Sequence, residues 1–295
     1  MAFEATMGQI EDKAGVLVGP FRAPRNLGNN TEGSIHDDKT AQNLGFRGGT
    51  VAGSIHMEQL PPLMMAAFGQ EWFEQGTLSC YFRNATTDGE SVRGLVRKPT
   101  TGRDEQVDVW MEREDGMTVL EGTASGARPT EQSMVRQRLS RAPAPEDVRI
   151  LSNLSVGQEL PSVAARIDSA SMERRMSVIT EPCDWYTGAS PWGGPIAHPG
   201  AVVRVLRAAE QGVRRGIRGA VGLFGAIEIA HLNGPVFMDH DYEAGGRIIA
   251  IGDTPKSEYY AYEAVLREPG SGKDVALMIM MLRFMKASSA LWTEA

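Results

Sequence analysis

The sequence is poor in cysteine and has no run of basic residues. Only Cys80 and Cys183 occur in the 295 residues, far apart and outside any Cys-x-x-Cys pattern. That usage favours neither a disulfide framework nor a zinc site and fits a reducing cytoplasm. The formal net charge is -7, from 37 acidic and 30 basic residues. It argues against a nucleic-acid partner, because phosphate binding normally needs a basic face.

Long apolar runs are also missing. The first residues are acidic and lack the apolar core of a signal peptide. No segment reaches the roughly 18 apolar residues that a membrane span requires. We therefore expect a soluble, cytoplasmic protein with no membrane partner. The hydrophobic content of 42% still allows a full core in one large domain or two ordinary ones.

The most informative stretch runs from Ser34 to His56. A polar segment with His36 and Asp38 precedes a glycine-rich turn, which opens into an apolar run from Thr50 to Phe68. This order predicts a loop that leads into a buried helix. The imidazole would then lie near helix-start N–H groups, which can stabilise a carbonyl oxygen as negative charge builds on it. The combination indicates acid/base chemistry on a carbonyl compound.

The order of glycine turn, helix and strand series occurs twice. Gly48-Gly49 precedes the first helix, and Gly193-Gly194 precedes a second, predicted over 201–213. The predicted strands are 78–83, 90–97, 105–112 and 117–124 in the first half, and 163–166, 175–179, 220–231, 237–251, 258–267 and 275–285 in the second. An internal duplication explains this order.

The duplication predicts an α+β architecture with two helix-on-antiparallel-sheet units in one chain. We place the first unit at 1–128, a polar, proline-containing linker at 129–161 and the second unit at 162–295. Joining the two sheet edges would remove an exposed edge from each unit. It would also create a groove between the halves, where ligands often bind.

At this point the first-half motif becomes recognisable. Ile35-His36-Asp37-Asp38, Ala41, Gly45-Phe46 and Gly53 resemble the MaoC-like hydratase/dehydratase family of hot-dog folds. The duplicated order resembles its double hot-dog members over the whole chain. The resemblance implies a small-molecule acyl thioester substrate, carried by CoA or acyl carrier protein, and no cofactor.

Residue by residue, the resemblance gives His36 the role of the catalytic histidine and Gly53 that of the carbonyl N–H donor. Asp38 matches the acidic residue two places after the histidine. Thr31 stands where the family has its catalytic aspartate, so it could only order a water, and the adjacent Glu32 is the candidate replacement. The second half has the helix start Pro195-Ile-Ala-His198 but no His-x-Asp segment. We therefore expect one site per chain, in the first half.

Other residues have two readings. His56 lies about one turn after Gly53 and either reaches the pocket or is a satisfied core histidine. Trp185, Tyr186 and Trp192 either line an acyl pocket or belong to the core. His198 is either a second pocket donor or a helix cap. We expect no metal site, because Asp239 and Asp241 would share a strand face from which His240 points away.

The sequence therefore predicts a cofactor-independent lyase that hydrates a 2-enoyl thioester or dehydrates a 3-hydroxyacyl thioester. Two alternatives remain. One is a hot-dog thioesterase or another proton-transfer enzyme of a biosynthetic pathway, which is compatible with a pocket that lacks the usual aspartate. The other is a non-catalytic partner subunit, which is compatible with a degenerate site. A monomer and a homodimer both fit, because the double fold already supplies the pairing of two units.

Overall fold

The computed structural model describes residues 2–28, 31–214, 216–217 and 219–293. In the first half, the helices and strands of this part of the chain are α1 Ala2–Met7, β1 Glu11–Lys13, β2 Val16–Val18, α2 Asp38–Asn43, α3 Gly53–Met57, α4 Pro61–Phe68, α5 Trp72–Gln75, β3 Thr77–Phe82, β4 Val92–Arg97, β5 Val107–Arg113, β6 Thr118–Ser125 and α6 Met134–Ser140. The remaining ones are β7 Glu159–Arg166, α7 Ser169–Met176, α8 Pro199–Leu206, α9 Gln211–Arg214, β8 Gly222–His231, β9 Asp241–Asp253, β10 Ser257–Arg267, β11 Asp274–Met285 and α10 Ala290–Thr293. Short 3₁₀ turns cover Asp184–Tyr186, Arg207–Glu210 and Lys286–Ser288.

All the strands of this part of the chain form one sheet. Their order is β1-β2-β4-β5-β6-β3-β8-β11-β10-β9-β7, and every neighbouring pair is antiparallel. The two halves meet where β3 pairs with β8, with Thr77 opposite Ala230 and Tyr81 opposite Ala226. We call this pairing the seam. It confirms that the two units join their edges into one sheet, as the predicted α+β architecture requires.

The helices that precede each strand series lie on one face of the sheet. Helix α4 packs against β2 and β4, and α8 packs against the strands of the second half. Apolar side chains of both halves form one continuous core, from Leu60 in the first half to Leu206 and Met280 in the second. Helix α3 also contacts α8, so the two helix starts lie in one layer.

Helix α6 covers the other face of the sheet at the seam. It lies inside the segment that the sequence predicts as a linker and packs against β3, β6 and β8. Val135 joins a second apolar cluster with Ala226 and Ile279. Arg136 Nε donates 2.9 Å to Glu228 Oε1, and Glu228 is fully buried in the sheet. A charged helix thereby protects the seam from water.

Three elements differ from the sequence predictions, two helices in their continuity and one strand in its type. The apolar run from Thr50 to Phe68 forms two helices, α3 and α4, and Pro61-Pro62 begins the second, where a missing N–H is tolerated. The segment 175–179, predicted as a strand, starts inside α7, whose basic last turn suits the negative end of the helix dipole. The helix predicted over 201–213 is divided, because α8 ends at Leu206 and a 3₁₀ turn and α9 continue to Arg214. No helix in the described part of the chain is long and apolar enough to cross a membrane.

Candidate active site

A cavity of about 1100 Å³ lies between the two halves. Its wall combines the loop before α2, the start of α3 and the end of β3 with the ends of β8 and β11 and the turn at 254–257. The volume suits a ligand of drug size or larger. The groove predicted between the halves is therefore present, and both halves contribute to it.

His36 lines this cavity in a defined orientation. Its Nδ1 lies 2.7 Å from the carbonyl oxygen of Thr50. Because a carbonyl oxygen only accepts, Nδ1 carries the proton, and the lone pair of the neutral ring is on Nε2. The backbone of the histidine is also fixed, since Asn26 Nδ2 donates 2.8 Å to its carbonyl oxygen. Nε2 is therefore the atom available for acid/base chemistry.

Gly53 lines the same cavity as the first residue of α3. Ala52 caps this helix without a side-chain hydrogen bond, and the first N–H groups of a helix have no intrahelical acceptor. A Cβ at Gly53 would lie 2.5 Å from Cζ of Phe82, so any larger residue would displace that ring. The glycine allows the backbone to pack directly under an aromatic wall of the cavity.

The structure separates the three other polar residues of the first motif. Thr31 lines the cavity and is exposed. Glu32 is exposed and lies outside the cavity wall. Asp38 is also outside the wall, and its Oδ1 accepts 2.7 Å from the N–H of Gly49. Asp38 therefore holds the glycine turn, and no carboxylate in the described wall stands beside His36.

His56 lines the cavity and is almost fully buried. Its Nε2 lies 2.8 Å from Thr86 Oγ1, whereas its Nδ1 has no hydrogen-bond partner among the described residues. Burial lowers the pKa of His56 to about 4, so the ring is neutral at pH 7. Both sequence readings hold in part, because the histidine borders the cavity and is also anchored in the core.

The aromatic residues that the sequence offers for an acyl pocket, Trp185, Tyr186 and Trp192, do not line the cavity. Trp185 and Trp192 pack edge to face with centroids 5.5 Å apart, and both contact Phe73 of the first half. Phe3 of α1 packs against Trp185 at 5.5 Å. The structure thus places Trp185 and Trp192 in an interface between the halves, because first-half side chains occupy the space around them.

His198 caps α8 and lies in a buried charged cluster away from the cavity wall. Its Nδ1 is 2.7 Å from Glu58 Oε1 and 3.3 Å from the N–H of Ala201. One nitrogen cannot donate and accept together, and the shorter contact indicates that Nδ1 donates to Glu58. Tyr186 packs edge to face on the same imidazole, at 5.7 Å.

Arg175 completes this cluster and connects it to the start of α3. Its Nε donates 2.6 Å to Glu58 Oε1, and its Nη2 donates 3.1 Å to Ser54 Oγ, next to Gly53. Burial alone would raise the pKa of Glu58, but the charges of Arg175 and His198 outweigh it and lower that pKa. The cluster ties α3 to α7 and α8.

The charged side chains around the cavity are all of one sign. No acidic side chain lines it in the described part of the chain, whereas these basic ones do: Arg83, Arg207, Arg214, Lys256 and Arg283. The chain as a whole has a net charge of -7. The cavity therefore favours an anionic ligand.

Sequence reasoning missed these cations and the aromatic side chains Phe224 and Phe284, which also line the cavity. They reach the site because β8 pairs with β3 and β11 pairs with β8. Only the prediction of a joined sheet hinted that second-half residues would complete a first-half site.

Comparison with solved structures identifies the architecture. A protein from Chloroflexus aurantiacus described as a MaoC domain dehydratase superposes with a TM-score of 0.60 at 12% identity, over 93% of this chain and 96% of that one. A conserved hypothetical protein from Mycobacterium tuberculosis, reported to have a double hot-dog fold, superposes with a TM-score of 0.52 at 14% identity over 94% of each chain. The chain has the double hot-dog fold.

A further match is a protein described as a MaoC-like dehydratase, with a TM-score of 0.52 at 16% identity over 96% of this chain and 99% of that one. No family model matches the chain, and no curated protein matches it in sequence. The fold predicted from the first-half motif is confirmed, and at these identities the likeness extends to the fold alone.

Proposed function

We propose that this double hot-dog protein is a lyase that adds water to a 2-enoyl thioester or removes it from a 3-hydroxyacyl thioester. One observation carries the proposal. The described wall of a single cavity holds the imidazole of His36, with Nε2 unprotonated in the neutral ring, and the helix-start N–H of Gly53. An acid/base group and an oxyanion donor are the two functions that this chemistry needs.

The reaction uses His36 for both proton transfers. In hydration, Nε2 takes a proton from water while the water oxygen bonds to the β-carbon. The C=C electron pair shifts toward the α-carbon and the thioester oxygen, whose negative charge the Gly53 N–H stabilises. The imidazolium then returns the proton to the α-carbon. Because one residue handles both transfers, the hydrogen and the hydroxyl group add to the same face.

The basic cavity supports a substrate on a phosphorylated carrier. Coenzyme A and the phosphopantetheine arm of acyl carrier protein are anionic, and the charged side chains of the described wall are all basic. Two of the matched folds belong to proteins described as MaoC dehydratases, which agrees with a reaction that adds or removes water. Exposed cations would steer such ligands toward the cavity.

Absorbance of the conjugated 2-enoyl thioester tests the proposal directly. Purified protein should consume a panel of 2-enoyl-CoA substrates without releasing free thiol. His36→Ala should lower kcat by about 10²- to 10⁴-fold, the range for loss of a general acid/base. His240→Ala is the matched control, because that histidine is exposed, pairs with Glu268 at 2.9 Å and lies outside the cavity wall.

Two other outcomes would reject the lyase, and a third would reject the role of His36 in it. Release of free thiol that depends on His36 would indicate the thioesterase alternative. Turnover that His36→Ala leaves unchanged would remove His36 from the chemistry. No turnover of any thioester by the chain alone, together with a second protein that co-purifies with it, would favour the non-catalytic partner subunit.

A further inference from the structure

The cations of the cavity differ in how they are held. Arg83 and Arg214 are about half or more exposed, at 47% and 67%, whereas the side chain of Arg207 is only 23% exposed. Arg207 lies directly after α8, and its guanidinium lies over the ring of Phe224, 5.0 Å from the centroid. Both residues line the cavity. This arginine is therefore built into the wall.

A buried carboxylate fixes the orientation of Arg207. Its Nε donates 3.0 Å to Glu210 Oε1, and its Nη2 donates to the same oxygen. Glu210 is 2% exposed, and its Oε2 accepts 2.7 Å from the hydroxyl of Tyr262. The guanidinium thus has one bonded edge, and no acceptor among the described residues binds its Nη1.

The local charges do not cancel. Arg214 also approaches Glu210 Oε1, at 3.6 Å, so two guanidinium groups share one carboxylate. Lys256 lines the same cavity, and no carboxylate in the described part of the chain pairs with it. Glu210 already pairs with Arg207, so Arg214 and Lys256 give this part of the cavity a net positive charge. The excess positive charge points to a ligand.

We propose that Arg207, with Arg214 beside it, binds an anionic group of the ligand, either a carboxylate on the acyl group or a phosphate of the carrier. The inference rests on the proposed function, because it takes the ligand to be an acyl thioester. The planar guanidinium matches both anions through paired N–H donors. Glu210 and Tyr262 act as positioning residues, since they contact the arginine and not the ligand.

Calorimetric binding of four saturated thioesters tests the site without turnover, because a saturated acyl group cannot be hydrated. Butyryl-CoA has phosphates only, succinyl-CoA has phosphates and a carboxylate, S-succinyl-N-acetylcysteamine has the carboxylate only, and S-butyryl-N-acetylcysteamine has neither. Arg207→Gln should weaken binding about 10- to 100-fold wherever the recognised anion is present. It should leave S-butyryl-N-acetylcysteamine unchanged.

Two further variants serve as a surface control and as a second test of the cavity. Arg267→Gln removes the same charge from a surface pair with Asp274, outside the cavity wall, and should change nothing. Arg214→Gln alters a more exposed side chain and should give a smaller loss for the same ligands, which keeps the test decisive if Arg207→Gln does not fold.

The pattern of losses identifies the anion. A loss shared by the two CoA thioesters assigns the site to a phosphate, and a loss shared by the two succinyl thioesters assigns it to a carboxylate. Unchanged binding of all four ligands in both arginine variants would overturn the proposal. Failure of the lyase would appear separately, as absent turnover of 2-enoyl thioesters with the binding differences intact.

Discussion

The two halves of the molecule begin their central helices in opposite ways. In the first half, Ala52 leaves the helix start uncapped by any side chain, and Gly53 presents an N–H beside the cavity. In the second half, His198 holds the N-cap position with its imidazole bonded to Glu58, and Pro199 as first residue has no N–H to offer. The first start is suited to a ligand, and the second is closed by the protein itself.

The surroundings of the two helix starts also differ, because one is open to a cavity and the other is covered by side chains. The first faces a cavity whose described wall has no acidic side chain. Beside the second lie the buried Glu58 and Arg175, and Trp185 and Trp192 pack against first-half side chains. Two copies of one fold therefore share a backbone plan, but one helix start opens on the cavity and the other packs against protein side chains.

The largest effect should follow from breaking the contact between the two starts. Arg175→Met removes the cation that neutralises buried Glu58 and should cost about 3 to 5 kcal/mol of unfolding free energy. The loss should lie near the lower limit, because His198 Nδ1 still contacts Glu58 Oε1 at 2.7 Å. Urea denaturation measures it.

The matched control is Arg267→Met, which breaks an exposed ion pair with Asp274 and should cost under about 1 kcal/mol. If Arg175→Met were no more destabilising than this control, the buried cluster would not tie the halves together.

A second experiment removes the N–H at the first residue of α3, so that this helix start resembles that of α8, where Pro199 has no N–H. Gly53→Ala and Gly53→Pro both add a Cβ that meets the ring of Phe82, but only proline removes the N–H. Proline is compatible with the first helical position. Relative to Gly53→Ala, Gly53→Pro should lower kcat by a further 10²- to 10³-fold, or about 3 to 4 kcal/mol.

The alanine variant serves as the steric reference for the proline variant. Both variants would be measured with the same 2-enoyl thioester. Equal kcat values would show that Gly53 is needed only because it has no Cβ to meet Phe82, and that its N–H does not contribute to catalysis.

The smallest effect concerns the packed side and its response to pH. His231 is buried against Trp72 and Phe73, and burial lowers its pKa to about 4. In the unfolded chain its pKa is about 6.5, so between those values the unfolded state binds the extra proton. Its contribution to stability is therefore complete above about pH 6.5 and is lost as the pH falls toward 4.

Replacement of this histidine isolates the contribution. Between pH 7 and pH 5, His231→Phe should lose about 1 to 2 kcal/mol less unfolding free energy than the unmodified chain. Urea denaturation at both pH values measures the difference. An identical loss in both proteins would mean that His231 is already protonated in the folded state at pH 5.

The strands could be predicted from the sequence more closely than the helices. Alternating apolar residues between turn signals placed all four strands of each repeated series within a few residues, because that pattern depends on local geometry. Helix α6 was missed because Arg136 and Arg138 read as linker composition. Only the folded sheet brings buried Glu228 to Arg136.

The candidate site likewise combines residues that could be predicted from the sequence with residues that could not. His36 and Gly53 come from one continuous loop and helix start, so their common location could be predicted from the sequence. Arg207 and Phe224 belong to the other half and reach the cavity only through long-range strand pairing. A short motif does not encode that pairing, so the charge of the cavity could not be foreseen.

The seam also has an evolutionary consequence. In a pair of identical single units, every substitution appears twice, so a change that closes one helix start would close both. Here β3 and β8 are paired within one chain, and a mutation at Pro199 or His198 leaves Gly53 and His36 untouched. In one chain, each half can therefore change without the other, and here one helix start is covered by protein while its counterpart opens on the cavity.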